Sequence, residues 1–225
     1  MISWIRGNAP FPPVEKALSA PNGLLCAGGD LTPERLIDAY SHGIFPWFSE
    51  GDPILWWSPD PRMVLFPEEL RVSHSLRKRL AHHDYETRFD SAFAEVIGHC
   101  AEPREGQSGT WIVPEMIAAY RALHELGFVH SVESWREGEL VGGLYGMALG
   151  KVFFGESMFA RAPDASKVAL VALVERLKAD GFRLIDCQQA TAHLASMGAR
   201  EIPRAEFAQR VRDSIQYPPS GSQWS

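Results

Sequence analysis

Nowhere does this 225-residue sequence hold the roughly 20 consecutive apolar residues that a membrane-spanning helix requires. Its opening residues, Met1-Ile2-Ser3-Trp4-Ile5-Arg6, lack the apolar core of a secretory signal, so export is not expected. Cysteine is scarce: Cys26, Cys100 and Cys187 are odd in number and form no paired motif. That argues against a disulfide framework or a cysteine zinc site and points to a reducing cytoplasm. The histidines His82-His83, and the pair His124 and His130, lack metal-site spacing to cysteine or carboxylate, so no metal is expected. Positive charge is also short, with 22 Lys and Arg against 28 Asp and Glu, a formal charge of −6. This speaks against coating nucleic acid through a global positive field; any such contact must be local. The glycine pairs Gly28-Gly29 and Gly142-Gly143 do not complete a phosphate-loop pattern, and turns are their expected use.

What is present is an ordinary globular composition, 45% hydrophobic and 22% charged, in a chain long enough for one or two domains. Thr32 caps and Pro33 opens an expected helix that runs to about His42 and stops at Gly43. The following stretch, to Pro61, crowds Phe45, Trp47, Phe48, Trp56 and Trp57 among four prolines and cannot be a regular helix. Residues 1–62 therefore read as a small N-terminal domain, 63–217 as the larger one, and the segment from Pro218 as a frayed tail. Ser73 or Ser75 suits the cap of a short helix through Leu80; Phe89–Cys100 and Pro114–Gly127 read as two more. Then the period shortens. His130–Trp135, Leu140–Leu149 and Val152–Phe159 read as strands joined by tight turns, hence antiparallel.

The chain is organised around Lys151 to Gln188, a strand, a helix from about Ala165 to Asp180, and a short strand over 183–188. Asp164 or Ser166 is the expected cap of the helix and Gly181 its stop. A period of two places Phe154, Glu156 and Met158 on one face, and Asp186 with Gln188 on one face of the last strand. On spacing alone these polar residues are equally sheet-edge residues. Asp186, however, lies inside the apolar run Leu184-Ile185-Asp186-Cys187, where a carboxylate needs a partner. Gln188 is no base, but its amide can orient an amine. Ser157 has Phe159 where a nucleophile elbow needs glycine, so a covalent nucleophile is not expected. An antiparallel meander, a helix and a further strand follow the ordering of N-acetyltransferase-type folds, an α+β class. The loop before that helix, Phe159 to Asp164, has no glycine and carries Pro163 and an acid, which counts against a CoA donor.

Several runs carry a specific resemblance. Gly155-Glu156-Ser157-Met158-Phe159, Ala165-Ser166-Lys167 and Asp186-Cys187-Gln188 closely resemble the bacterial leucyl/phenylalanyl-tRNA–protein transferases. So do Gly28-Gly29-Asp30-Leu31, Gly43 to Ser49, and Trp56-Trp57-Ser58-Pro59-Asp60-Pro61-Arg62. The match spans roughly residues 10 to 207. It implies an acetyltransferase-like C-terminal domain behind a small N-terminal one, and no cofactor. It implies transfer of Leu or Phe, with Met possible, from aminoacyl-tRNA to proteins beginning with Arg or Lys, marking them for degradation. Asp186, Gln188 and Glu156 would form the reaction centre, Glu156 binding the acceptor's amine or its basic side chain. Trp47 and Trp111 would stack on the terminal adenosine. Met147, Phe153, Met158 and Leu170 are candidates for the amino-acid pocket, and each is equally a core residue. Arg71, Arg77, Lys78 and Arg79 read as a solvated helix face, yet they are the best local match for tRNA phosphates. A CoA-dependent N-acetyltransferase and a non-catalytic module binding a tRNA end or peptide are the alternatives.

Overall fold

A computed structural model describes residues 2–7, 9–103, 112–215 and 224. Its elements run β1 (Ser3–Ile5), β2 (Leu24–Gly28), α1 (Pro33–Ser41), β3 (Phe45–Pro46), β4 (Leu55–Trp57), β5 (Arg62–Leu65) and α2 (His74–Ala81). Then follow β6 (Glu86–Phe89), α3 (Phe93–Ala101), α4 (Pro114–Glu125), β7 (Val129–Arg136), β8 (Glu139–Leu149), β9 (Val152–Ala160) and α5 (Ala165–Ala179). The last are β10 (Leu184–Gln188), α6 (Ala192–Ser196), β11 (Arg200–Ile202) and α7 (Arg204–Ile215). A four-stranded sheet, ordered β1-β2-β4-β3, precedes a seven-stranded sheet ordered β11-β5-β10-β9-β8-β7-β6. The meander β7-β8-β9 is antiparallel, and β10 returns through α5 to lie parallel to β9. The class is α+β, as the strand and helix order predicts.

Local chemistry explains the elements. Thr32 caps α1 by accepting from the Arg35 N–H, with Pro33 in the first turn, and Ser73 caps α2 by accepting from the Leu76 N–H. Asp164 holds the cap position of α5 but makes no cap hydrogen bond. Its backbone is left-handed, and its carboxylate pairs with Lys167 instead. The expected helix over Phe89–Cys100 is shorter. Glu86–Phe89 pairs with β7 as an edge strand, and Asp90, at φ +53°, breaks the chain before α3. Gly142 and Gly143 are not turn residues: both lie within β8. A Cβ on Gly142 would sit 2.5 Å from the Ala165 Cβ, so glycine lets the start of α5 press onto the sheet.

The seven-stranded sheet is buried on both faces. One face packs beneath α1, α3 and α4 with Tyr40, Phe93, Tyr120, Tyr145 and Phe154. The other packs beneath α5 with Leu144, Phe153, Leu173 and Ile185. Two of the sheet's bulges bear on the site. Tyr145 pairs with Ser157 but Gly146 pairs with Gly155, which leaves Glu156 as an extra residue in β9. Beyond it the faces exchange: Met158 packs on the α5 side and Phe159 on the other. Phe154, Glu156 and Met158 therefore do not share one face, because a single inserted residue inverts the period. In β10, Cys187 is the extra residue against β5. Trp224, which falls within the expected tail, is 4% exposed and stacks on His130 at 4.2 Å.

Candidate active site

The bulges fall just beyond the last paired residues of β9 and β10, Phe154 and Asp186. A bulge bends its strand, and here the two strands part. A cavity of about 1370 Å³ opens at the parting, with walls drawn from both faces of the sheet. On the α5 side they are Leu144, Phe153, Met158, Leu170, Leu173 and Ile185. On the opposite side they include Phe45, Trp47, Cys100, Val113, Tyr145 and Glu156.

Asp186 is 0% exposed, and its partner is Arg62, also 0% exposed. Arg62 Nε donates to Oδ1 at 2.8 Å and Nη2 to Oδ2 at 2.6 Å, a two-pronged charge-assisted pair. The guanidinium lies between the rings of Phe45 and Phe207, 4.7 and 4.5 Å from their centroids. Asp186 Oδ1 also accepts the backbone N–H of Gln188 at 2.9 Å. That bond holds Gln188 at φ +60°, a conformation non-glycine residues seldom adopt. Asp186 thus reaches the cavity through Gln188, and its carboxylate is spoken for.

Glu156 sits beside them. Tyr40 donates to Oε1 at 2.6 Å, Tyr120 to Oε2 at 2.8 Å, and Gln188 Nε2 to Oε1 at 3.1 Å. The two hydroxyl oxygens are also 2.5 Å apart. Three short contacts join Tyr40, Tyr120 and Glu156, but two hydroxyls supply only two protons. Both donate to the carboxylate, so the contact between the two hydroxyl oxygens is left without a proton of its own. Burial pushes Glu156 up to about 7, while the tyrosine bonds restrain the rise. Burial and this carboxylate hold both tyrosines well above the usual phenol range. Gln188 donates its amide nitrogen to Glu156, and the carbonyl oxygen is left without a partner among the described residues. The site therefore offers an acceptor, Gln188 Oε1, next to a carboxyl group that titrates near neutrality.

Sequence reasoning expects Glu156, Asp186 and Gln188 together, and they are. Trp47 lines the cavity at 38% exposure, its ring edge-on to Trp57 at 5.4 Å. Trp111 lies outside the described residues. Phe153, Met158 and Leu170 line the cavity; Met147 does not, being fully buried on the opposite face with Tyr145 and Phe154. Arg71, Arg77, Lys78 and Arg79 stand on or beside α2, none of them in the cavity wall, and Arg79 is paired with Asp84 at 2.8 Å. Sequence reasoning gives Arg62, Tyr40 and Tyr120 no part in the site. Arg62 appears there only as the end of a matching run, and Tyr120 falls inside the expected helix Pro114–Gly127.

The family described as leucyl/phenylalanyl-tRNA protein transferase matches residues 64–212, and its N-terminal domain matches residues 29–60. A protein of Nitrosospira multiformis named leucyl/phenylalanyl-tRNA–protein transferase is 62% identical over 224 residues, covering 100% of this chain and 97% of that one. One of the same name from Stutzerimonas stutzeri is 61% identical over 225 residues, covering 100% and 99%. Among solved structures, a ribosomal-protein-alanine N-acetyltransferase from Brucella melitensis is similar at 12% identity and a TM-score of 0.36, over 64% of this chain and 96% of that one. Identity above three residues in five across the whole length settles the matter: this chain belongs to the leucyl/phenylalanyl-tRNA–protein transferase family.

Proposed function

We propose that this aminoacyltransferase moves Leu or Phe, and also Met, from aminoacyl-tRNA to the α-amine of cytoplasmic proteins that begin with Arg or Lys. The peptide bond so formed marks the acceptor for degradation. The observation that carries the reading is the cavity at the parted strands, apolar on one side and carboxylate-bearing on the other. Leu, Phe or Met fills the apolar side, where each buried methylene contributes ~0.8 kcal/mol. Glu50, Glu102 and Glu156 line the remainder, and no Lys or Arg lines it among the described residues. Such a wall favours a cationic acceptor. Trp47, with Trp111, stacks on the terminal adenosine, a contact worth ~1–3 kcal/mol. The cationic side chains of α2, Arg77 and Lys78 foremost, meet tRNA phosphates.

In this reading the acceptor arrives largely as an ammonium, since an α-amine titrates near ~7.7–8. Ionised Glu156 takes one proton from it. Gln188 Oε1 accepts an N–H of the neutral amine and turns its lone pair to the ester carbonyl. The nitrogen attacks, the C–O bond to the ribose breaks, and the second amine proton goes to the departing ribose oxygen. The ester is already activated, so alignment supplies most of the acceleration. Asp186 is a positioning residue that holds Gln188. The test is transfer of labelled Leu from Leu-tRNA to a peptide beginning with Arg, against the same peptide beginning with Ala, with and without RNase. Equal labelling of both peptides would remove the acceptor rule, and acetyl-CoA turnover would overturn the whole assignment.

A further inference from the structure

Trp224 is buried beneath α5 but is not part of the cavity wall. Four elements hold its ring. His130 from β7 stacks on it at 4.2 Å and 9°, and Phe153 from β9 lies against it at 5.9 Å and 25°. Phe89 at the end of β6 meets it edge-on at 6.0 Å, and the Arg176 guanidinium of α5 lies 5.5 Å from its centroid. His130 is itself fixed, with Nδ1 2.7 Å from Asp90 Oδ2.

Phe153 differs from the other three partners because it also lines the cavity. It cannot shift freely on its other flank. A Cβ on Gly146 would stand 2.5 Å from Phe153 Cε1, so the ring already lies on the bare backbone of β8. The ring is wedged between that backbone, Trp224 and the cavity. We propose that Trp224 sets the depth of the amino-acid pocket by bracing Phe153, and so tunes which aminoacyl group is transferred. This rests on the reading of Phe153, Met158 and Leu170 as that pocket. Protein interiors are close-packed, and a void behind a wall residue is partly filled by that residue. Removing the indole therefore lets Phe153 retreat, deepens the pocket and favours the longer donor side chain.

The experiment measures kcat/KM for Phe-tRNA and for Leu-tRNA on one Arg-starting peptide, and takes their ratio within each preparation. Any inactive fraction cancels in that ratio. Trp224→Ala is expected to raise the Phe/Leu ratio about tenfold, the lower end of what a methylene-sized change in an apolar pocket discriminates. Trp224→Phe keeps a ring against His130 and Phe153 and should bring the ratio most of the way back. If the alanine variant does not accumulate folded, Trp224→Leu replaces it with the same expected direction. Leu170→Ala is the control, since it alters the cavity wall itself. A ratio moved by Leu170→Ala but not by the Trp224 variants overturns the bracing alone. A ratio moved by neither overturns the pocket reading and the bracing with it.

Discussion

Replacing Glu156 with Gln isolates the proton from the scaffold. The amide keeps the size of the side chain, and its oxygen still accepts from Tyr40 or Gln188, so the local frame survives. Only the titration near 7 is lost. A positioned proton acceptor contributes about 10²-fold or more, so kcat/KM at pH 7 should fall by about that factor. The defect should then shrink with pH. At pH 7 about one α-amine in ten is neutral, and at pH 9 about nine in ten are, given its ordinary pKa. Deprotonation by solvent thus recovers close to tenfold, leaving a deficit of about tenfold at pH 9. The assay is initial-rate transfer from Leu-tRNA to an Arg-starting peptide between pH 6 and 9, corrected for spontaneous ester hydrolysis. Wild type should show an inflection near 7 that the variant lacks. Unfolding adds an independent check. Because the folded carboxyl titrates at about 7 against an unfolded 4.5, its stabilising contribution is complete below 4.5 and lost as pH rises through 7. Between those limits wild type should lose up to about 3 kcal/mol relative to the Gln variant, at ~1.36 kcal/mol per unit. A constant rate deficit from pH 6 to 9, or a surviving inflection, refutes the proton role and leaves Glu156 as a prop for Gln188.

Tyr120→Phe removes a donor that restrains the rise of Glu156. The acid limb of kcat/KM should therefore move to higher pH, and a stationary limb would take Tyr120 out of the network. Asp186→Ala strands the Arg62 guanidinium in the core, at a cost of about 3–5 kcal/mol. Thermal melts should fall by roughly 10 °C, using ~2–4 °C per kcal/mol for a chain of this size. Pairing Arg62→Met with Asp186→Leu should recover most of that stability without activity, because Gln188 stays unanchored; recovered activity would show that Asp186 serves the fold alone. Charge reversal at Arg77 and Lys78 should weaken transfer from intact tRNA and flatten its salt dependence, while transfer from a minimal aminoacyl-adenosine is unchanged. Equal loss on both donors would free α2 of any phosphate role.

How much of this was legible depended on the range of the interaction that fixes each feature. α1 and α2 follow from caps two or three residues away from the turns they close, and Thr32, Pro33 and Ser73 announce them. The meander β7-β8-β9 and its return through α5 follow from local periodicity and short turns. β5 does not. It has four residues, follows Pro61, and is a strand because β10 and β11 flank it. Its Arg62 meets Asp186 across 124 residues of sequence, so no local pattern could join them. Glu156 is half legible. Its acidity in an apolar strand marks it, but the bulge that turns it towards Tyr40 and Tyr120 is one inserted residue with no signature of its own. The same holds for Cys187 in β10.

Those two inserted residues open the candidate site. An unbroken β9–β10 ladder would close the sheet, and a closed sheet keeps its two faces apart. With bulges at Glu156 and Cys187 the ladder ends at Phe154 and Asp186, and one cavity joins both faces. An aminoacyl ester with an apolar side chain and an amine on a basic residue have opposite solvation needs, and neither suits the other's pocket. In the proposed reading each side of the sheet serves one of them, and the reacting atoms meet in the gap. The residues at that gap come from strands tied by Arg62 to the aromatic loop after α1 and to α7, through Phe45 and Phe207. Rigidity at the meeting point is therefore set by packing far from it. An ester that is already activated needs its amine held within a few tenths of an ångström more than it needs a strong base. In the proposed reading a glutamine pinned by its own backbone N–H, with its amide nitrogen given to Glu156, meets that need.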